Sequence, residues 1–151
     1  MLDIEDFKKK INEKSRLMGI DPGKRRIGIS ICDENQKIAT PHKNLIKKDI
    51  NTLCSELEKI IKDFNIKGLV IGNPINLDGS PSASSQSAKD LAINISKNIS
   101  LPITLWDERL SSEGAFKIME DLAVNSSKKR ETLDKNAAAF ILQGFIDFLN
   151  K

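Results

Sequence analysis

At 151 residues the chain has the length of one compact domain, and a second domain is not expected. With 39% hydrophobic and 30% charged residues it suits a fold in water, and no apolar run approaches the roughly 20 residues of a membrane helix. The net charge of +3 and pI of 8.8 are mildly basic, but Lys and Arg gather at Lys8-Lys9-Lys10, Lys24-Arg25-Arg26, Lys47-Lys48 and Lys128-Lys129-Arg130, clusters that suit a polyanion partner or simply solvated faces.

In chain order, Ile4, Phe7 and Ile11 recur at helical spacing over residues 3 to 14 and predict a short amphipathic arm, residues 1–15 being an extension before the main domain at 16–151. Met1 to Asp6 lacks the basic start and apolar core of a secretory signal, so the expected compartment is the cytoplasm. Leu17 to Ile20 reads as a strand, the alternation of Ile27, Ile29 and Ile31 as a second, and Lys37 to Thr40 as a third, with a turn at Asp33-Glu34-Asn35. From Asp49 to Phe64, the set Ile50, Leu53, Leu57, Ile60, Ile61 and Phe64 predicts an amphipathic helix.

Gly68 to Ile71 follows as a short buried strand, and Gly72 to Pro81 is too rich in Gly, Pro and Asn to be other than an ordered loop. Ala88, Leu91, Ala92, Ile95 and Ile99 mark the next helix, and Leu101 to Trp106 the next strand. A helix capped by Ser111 or Ser112 and carrying Ala115, Ile118, Met119 and Leu122 is expected, then a polar, basic loop from Ala123 to Glu131. Thr132 is placed to cap the last helix, whose Ala138, Ile141, Leu142, Phe145 and Leu149 face inward. The order βββαβαβα predicts an α/β fold: a mixed five-stranded sheet with helices on both faces.

Ligands of such sheets collect beyond the carboxyl ends of the parallel strands. Asp21 and Glu108 fall at two such ends and Asp134 at the predicted start of the last helix, so the three acids can converge. Converged carboxylates hold Mg²⁺ or Mn²⁺, hard cations that take oxygen ligands, and two such ions cut phosphodiesters. Either Asp107 or Glu108 can be the ligand, because side chains alternate at a strand end. Lys24 and Arg109 suit phosphate binding, with Arg25 in the same cluster as Lys24, and Lys128, Lys129 and Arg130 suit a substrate clamp. Gly72 to Ser80 can form an anion-binding nest, with Asn73, Asn76 and Ser80 as side-chain donors, although it lacks the phosphate-loop spacing.

Each station also has a plain reading. Asp21 before Pro22-Gly23 suits a turn, Arg109 can tie down a neighbouring carboxylate, and Asp134 can be an ordinary acid near a helix start. Cys32 and Cys54 stand far apart with no second histidine beside His42, so zinc and thiol-histidine chemistry are poorly supported. Trp106 is better suited to the core than to stacking on a base.

The motifs Gly19-Ile20-Asp21-Pro22-Gly23-Lys24-Arg25-Arg26-Ile27-Gly28, Gly72 to Ser80, Trp106-Asp107-Glu108-Arg109-Leu110-Ser111-Ser112 and Asp134 to Gln143 occur in the order and spacing of the YqgF (RuvX) family, which the chain resembles over residues 16 to 150. The resemblance implies an RNase H-like fold, kinship with the RuvC type of Holliday-junction resolvase, and a Mg²⁺-dependent nuclease maturing the 5′ end of precursor 16S ribosomal RNA. It also implies Asp21, Glu108 and Asp134 as the acidic triad. The arm before Arg16, Asn73 in place of an apolar residue, and Ser82 to Ser87 in place of a Gly-containing stretch depart from the family pattern.

The expected partner is precursor ribosomal RNA. Branched DNA is the alternative, and would require two active sites facing two strands and hence a homodimer; the sequence leaves monomer and homodimer both open. A non-catalytic nucleic-acid-binding module and a one-lobed relative of actin-like ATPases are the readings from other classes.

Overall fold

The computed structural model describes residues 1–74, 83–110 and 130–151, with backbone alone for Ala83, Ser84, Arg109 and residues 130–135. Strands β1 (Arg16–Pro22), β2 (Arg26–Cys32) and β3 (Ala39–Ile46) form an antiparallel meander. Strands β4 (Ile66–Asn73) and β5 (Ile103–Asp107) then add in parallel beside β1, giving the order β3-β2-β1-β4-β5. The mixed sheet matches the expected α/β architecture.

Two strands are longer than the sequence suggests. β3 was expected at Lys37 to Thr40 but runs to Ile46 through Pro41 and His42. It tolerates Pro41 because an edge strand has a free side on which a missing N–H breaks no ladder. His42 is the extra residue of a bulge, since Ser30 pairs with Pro41 while Ile29 pairs with Lys43. Its ring packs on Phe64, with centroids 4.9 Å apart. β4 likewise continues past Ile71, because Gly72 and Asn73 stay in the parallel ladder opposite Trp106 and Asp107. These two residues belong to the strand, and the expected loop can begin only after them.

Helix α2 (Ile50–Phe64) starts where the Asp49 carboxylate accepts from Thr52 N at 2.9 Å, and stops at Asn65 in the left-handed region. With α3 (Ala83–Ser96) it covers one face of the sheet, over Met18, Ile20, Ile29, Leu69 and Ile71. Helices α1 (Ile4–Lys10) and α4 (Arg130–Leu149) cover the other, where Phe7, Leu17, Val70, Trp106 and Phe145 are buried together. Trp106 is a core residue, its ring 5.6 Å from that of Phe145.

The amino-terminal arm is anchored at two points. Leu2 N donates to Ile103 O at 2.8 Å beside the β5 edge. Phe7 lies over Gly68, where an added Cβ would come within 2.7 Å of its ring.

The last helix begins at Arg130, so Thr132, expected as its cap, stands inside it. The helix expected after Ser111 lies outside the described residues. Among the described residues no helix is long and apolar enough to cross a membrane.

Candidate active site

Strand alternation decides which acids meet. On β1, Leu17 is buried against α4, and Gly19 is so close to it that an added Cβ would stand 2.7 Å from Leu142 Cβ and 2.8 Å from the Ala138 carbonyl oxygen. Asp21 has the same parity and therefore emerges on that face, half-buried, at the carboxyl end of the strand. Gly23 N donates to Asp21 O at 2.9 Å, turning the chain at once toward β2. An added Cβ at Gly23 would overlap the Arg26 carbonyl, so only glycine fits this turn.

On β5, Trp106 faces α4, and Glu108 opens a one-turn 3₁₀ helix, Glu108–Leu110, immediately beyond the strand. The two carboxylate stations lie on strands separated by β4. Gly72 fills the interval: Ile20 pairs with Ile71, making Asp21 and Gly72 the next residues on adjacent strands, and Gly72 pairs with Trp106. An ideal Cβ at Gly72 would stand 2.9 Å from Glu108 Oε1 and would overlap Ile141 of α4. The missing side chain leaves room for the Glu108 carboxylate to lie over β4 toward β1. Asp107, by contrast, pairs with Asn73 and has the parity of the opposite face.

Burial, and then the neighbouring charge of Asp107, push the Glu108 carboxyl above the ordinary carboxylate range. An anion disfavoured in this way is stabilised by an adjacent cation. The donors here are carboxylate oxygens, the set suited to Mg²⁺ or Mn²⁺.

Asp134 lies one turn before Ala138 on α4. Ser30, buried in β2, donates its hydroxyl to Ala138 O at 2.7 Å, which fixes the height of α4 on the sheet at this point. Because α4 begins at Arg130, Asp134 belongs to its second turn, where the helix dipole favours an anion less than at the very start. The side chains of Asp134, Arg109 and Arg130 lie outside the described set, as do Asn76, Ser80, Lys128 and Lys129 altogether. Among the described residues no three His, Cys, Asp or Glu side chains gather as metal ligands.

Lys24 and Arg25 are exposed in the β1–β2 turn directly after Asp21. Asn73 sits elsewhere: its Oδ1 accepts from Ser85 Oγ at 2.8 Å, buried where α3 meets β4. That tie joins the end of β4 to α3 on the face opposite Glu108. Ser30 carries no signal of its own in the sequence, and Gly72 is expected in an anion-binding loop rather than as the strand residue that makes room for Glu108. The signal for Gly72 is its place directly after the apolar run Leu69-Val70-Ile71.

A meander followed by two parallel strands, with acids at the carboxyl ends of β1 and β5 beneath one long helix, defines an RNase H-like fold. Residues 15–148 match the family model of RuvX, described as "Holliday junction resolvase". A relative from Pelagibacter ubique, named "Putative pre-16S rRNA nuclease", is 59% identical over 99% of each chain. One of the same name from Zymomonas mobilis is 38% identical over 96% of this chain and 88% of its own. Among solved structures, T. thermophilus RuvC in complex with a Holliday junction substrate aligns with a TM-score of 0.55 over 90% of this chain and 96% of its own, at 12% identity. The chain belongs to the RuvX family, and is thereby a hydrolase of phosphodiester bonds.

Proposed function

We propose that this chain is a divalent-cation-dependent nuclease that matures the 5′ end of precursor 16S ribosomal RNA in the cytoplasm, with Asp21, Glu108 and Asp134 holding the cation. The observation that carries the reading is the Glu108 carboxylate lying over Gly72, on the sheet face and at the sheet end that Asp21 occupies. The names of the Pelagibacter and Zymomonas relatives support the choice of substrate.

When bound, Mg²⁺ supplies an activated water and neutralises charge on the phosphate. The protein's own contribution is placement. Asp21 stands near the end of β1 and Glu108 directly beyond β5, so their spacing is set by the sheet rather than by a flexible loop. Ile141 and Trp106 back the site with apolar surface that excludes bulk water on the α4 side and strengthens charge interactions there. Lys24 and Arg25 meet the sugar–phosphate backbone where it leaves the carboxylates, and Arg109 binds a phosphate beside Glu108. Asn76, Ser80, Lys128, Lys129 and Arg130 complete the substrate contacts in this reading, whereas the Asn73 amide oxygen is engaged by Ser85.

The test is Mg²⁺-dependent cleavage of a 5′-extended 16S precursor, wild type against Asp21→Asn, with a four-way DNA junction run in parallel. Cleavage of the RNA, lost in a folded Asp21→Asn protein, is the expected result. Undiminished cutting by that variant would remove Asp21 from the site, and cutting of the junction but not the RNA would move the substrate to branched DNA, acted on by a homodimer.

A further inference from the structure

The sheet carries a second basic cluster to the carboxylates. β2 runs antiparallel to β1 and β3 antiparallel to β2, so the end of β1, the start of β2 and the end of β3 share one edge. Asp21, Gly28 and Asn44 form a single row across three strands, and Arg26 paired with Ile46 lies beyond it. With neighbouring strands about 4.8 Å apart, the row spans roughly 10 Å, a few nucleotides of backbone.

Residues 28 and 26 share the parity of Ser30, whose hydroxyl touches α4. Asn44 and Ile46, their partners on β3, therefore belong to the same face as Asp21. Lys47 N donates to Arg25 O at 2.8 Å, which ties the end of β3 to the β1–β2 turn. Lys24, Arg25, Ile46 and Lys47 are all exposed there, with Ile46 at 66% exposure.

Neighbouring charges single out Lys47. Lys48 Nζ is 3.5 Å from Glu56 Oε1 and leans toward α2, while the Asp49 carboxylate is held by the backbone N–H and hydroxyl of Thr52. A cation pair one row beyond an exposed aliphatic side chain, at the sheet edge that holds Asp21, suits a sugar–phosphate backbone carrying an apolar sugar or base face.

We propose that this edge is the track for nucleotides flanking the scissile phosphate on one side, with Arg25 and Lys47 on successive phosphates and Ile46 beneath a ribose or base. The proposal rests on Asp21 and Glu108 being the site of cutting, and extends that site outward along β2 and β3.

The experiment measures binding of a 5′-extended 16S precursor fragment to full-length chains carrying Asp21→Asn, so that no cutting intervenes. Lys47→Ala is compared with Lys8→Ala, a control on α1, using a long fragment and fragments shortened from either end. Lys47→Ala is expected to weaken binding to the long RNA several-fold, with the log–log salt slope shallower by about 0.7 for the lost phosphate contact. The defect should vanish on RNA shortened from one end only. Arg25→Ala repeats the comparison should Lys47→Ala lower the melting temperature.

A loss no larger than that of Lys8→Ala, or one equal on long and short RNA, overturns the track. The parent reading fails separately: if the chain with Asp21 intact cuts no precursor while the length-dependent loss persists, the track stands and the RNA-maturing activity does not.

Discussion

Glu108 Oε1 lies 2.9 Å from the point where a side chain at Gly72 would begin, so the glycine of the middle strand and the carboxylate from its neighbour occupy one space between them. A single methyl group there has two targets, the carboxylate and the Ile141 side chain. Gly72→Ala should cost about 1–3 kcal/mol by overpacking, and it should lower cleavage on the order of 100-fold, because a misplacement near 1 Å has that effect on a positioned group. Urea unfolding and single-turnover cleavage of precursor RNA check the two halves. Full activity in Gly72→Ala would mean that Glu108 is free to move aside without consequence.

Gly19 and Ser30 seat α4. An added Cβ at Gly19 would collide with Ser30 Oγ and crowd Leu142 and the Ala138 carbonyl, two of them helix atoms that cannot yield without moving α4. Gly19→Ala should therefore lower the denaturation midpoint more than Ser30→Ala, which removes one buried hydrogen bond worth about 1 kcal/mol. Equal midpoints for the two variants would contradict a fixed helix height. Differential scanning calorimetry measures both.

Neither cysteine should react in the native protein at neutral pH. Burial pushes the Cys32 thiol up to about 11, outweighing the hydrogen bond that its sulfur accepts from Leu17 N at 3.2 Å, and burial, then Glu58, raises Cys54 as well. The thiolate is the reactive form. Labelling by an aromatic disulfide reagent should be slow in buffer and become fast only across the unfolding transition. Rapid modification of one thiol in buffer would reveal an opening at β2 or α2.

The turn from β2 to β3 should contribute to acid sensitivity. Slight desolvation works against the Asp33 anion, but the N–H groups of Ile38, Lys37 and Asn35 outweigh it and hold the carboxyl below the usual aspartate value. With the folded value depressed, the stabilisation is complete above the unfolded value of about 3.9 and is lost as pH falls through the folded one. Asp33→Asn should destabilise the protein near neutrality and much less at the acid end, so its difference from wild type should shrink below about pH 4. A constant difference across that range, read from urea midpoints, would show that the turn does not depend on the charge.

The sequence was legible wherever chemistry or periodicity is local. Alternating isoleucines named β2, the spacing from Ile50 to Phe64 named α2, and Asp21 and Glu108 stood at strand ends because a buried apolar run must stop where polar groups begin. What stayed hidden depends on partners distant in the chain. β3 extends through Pro41 only because it became an edge strand, Gly72 and Asn73 are strand residues because β5 lies beside them, and Ser30 matters because α4 crosses above it.

By itself, then, the order of residues determined β1, β2, α2 and the acids Asp21 and Glu108 at the strand ends, since propensity and hydrophobic period act over a few neighbours. Only the tertiary structure decided that Glu108 shares a face with Asp21 while Asp107 does not, and that Lys47 stands beside Arg25. Both follow from strand register, in which a shift of one residue reverses every side chain, and register is set by pairing across the whole sheet rather than by any segment alone.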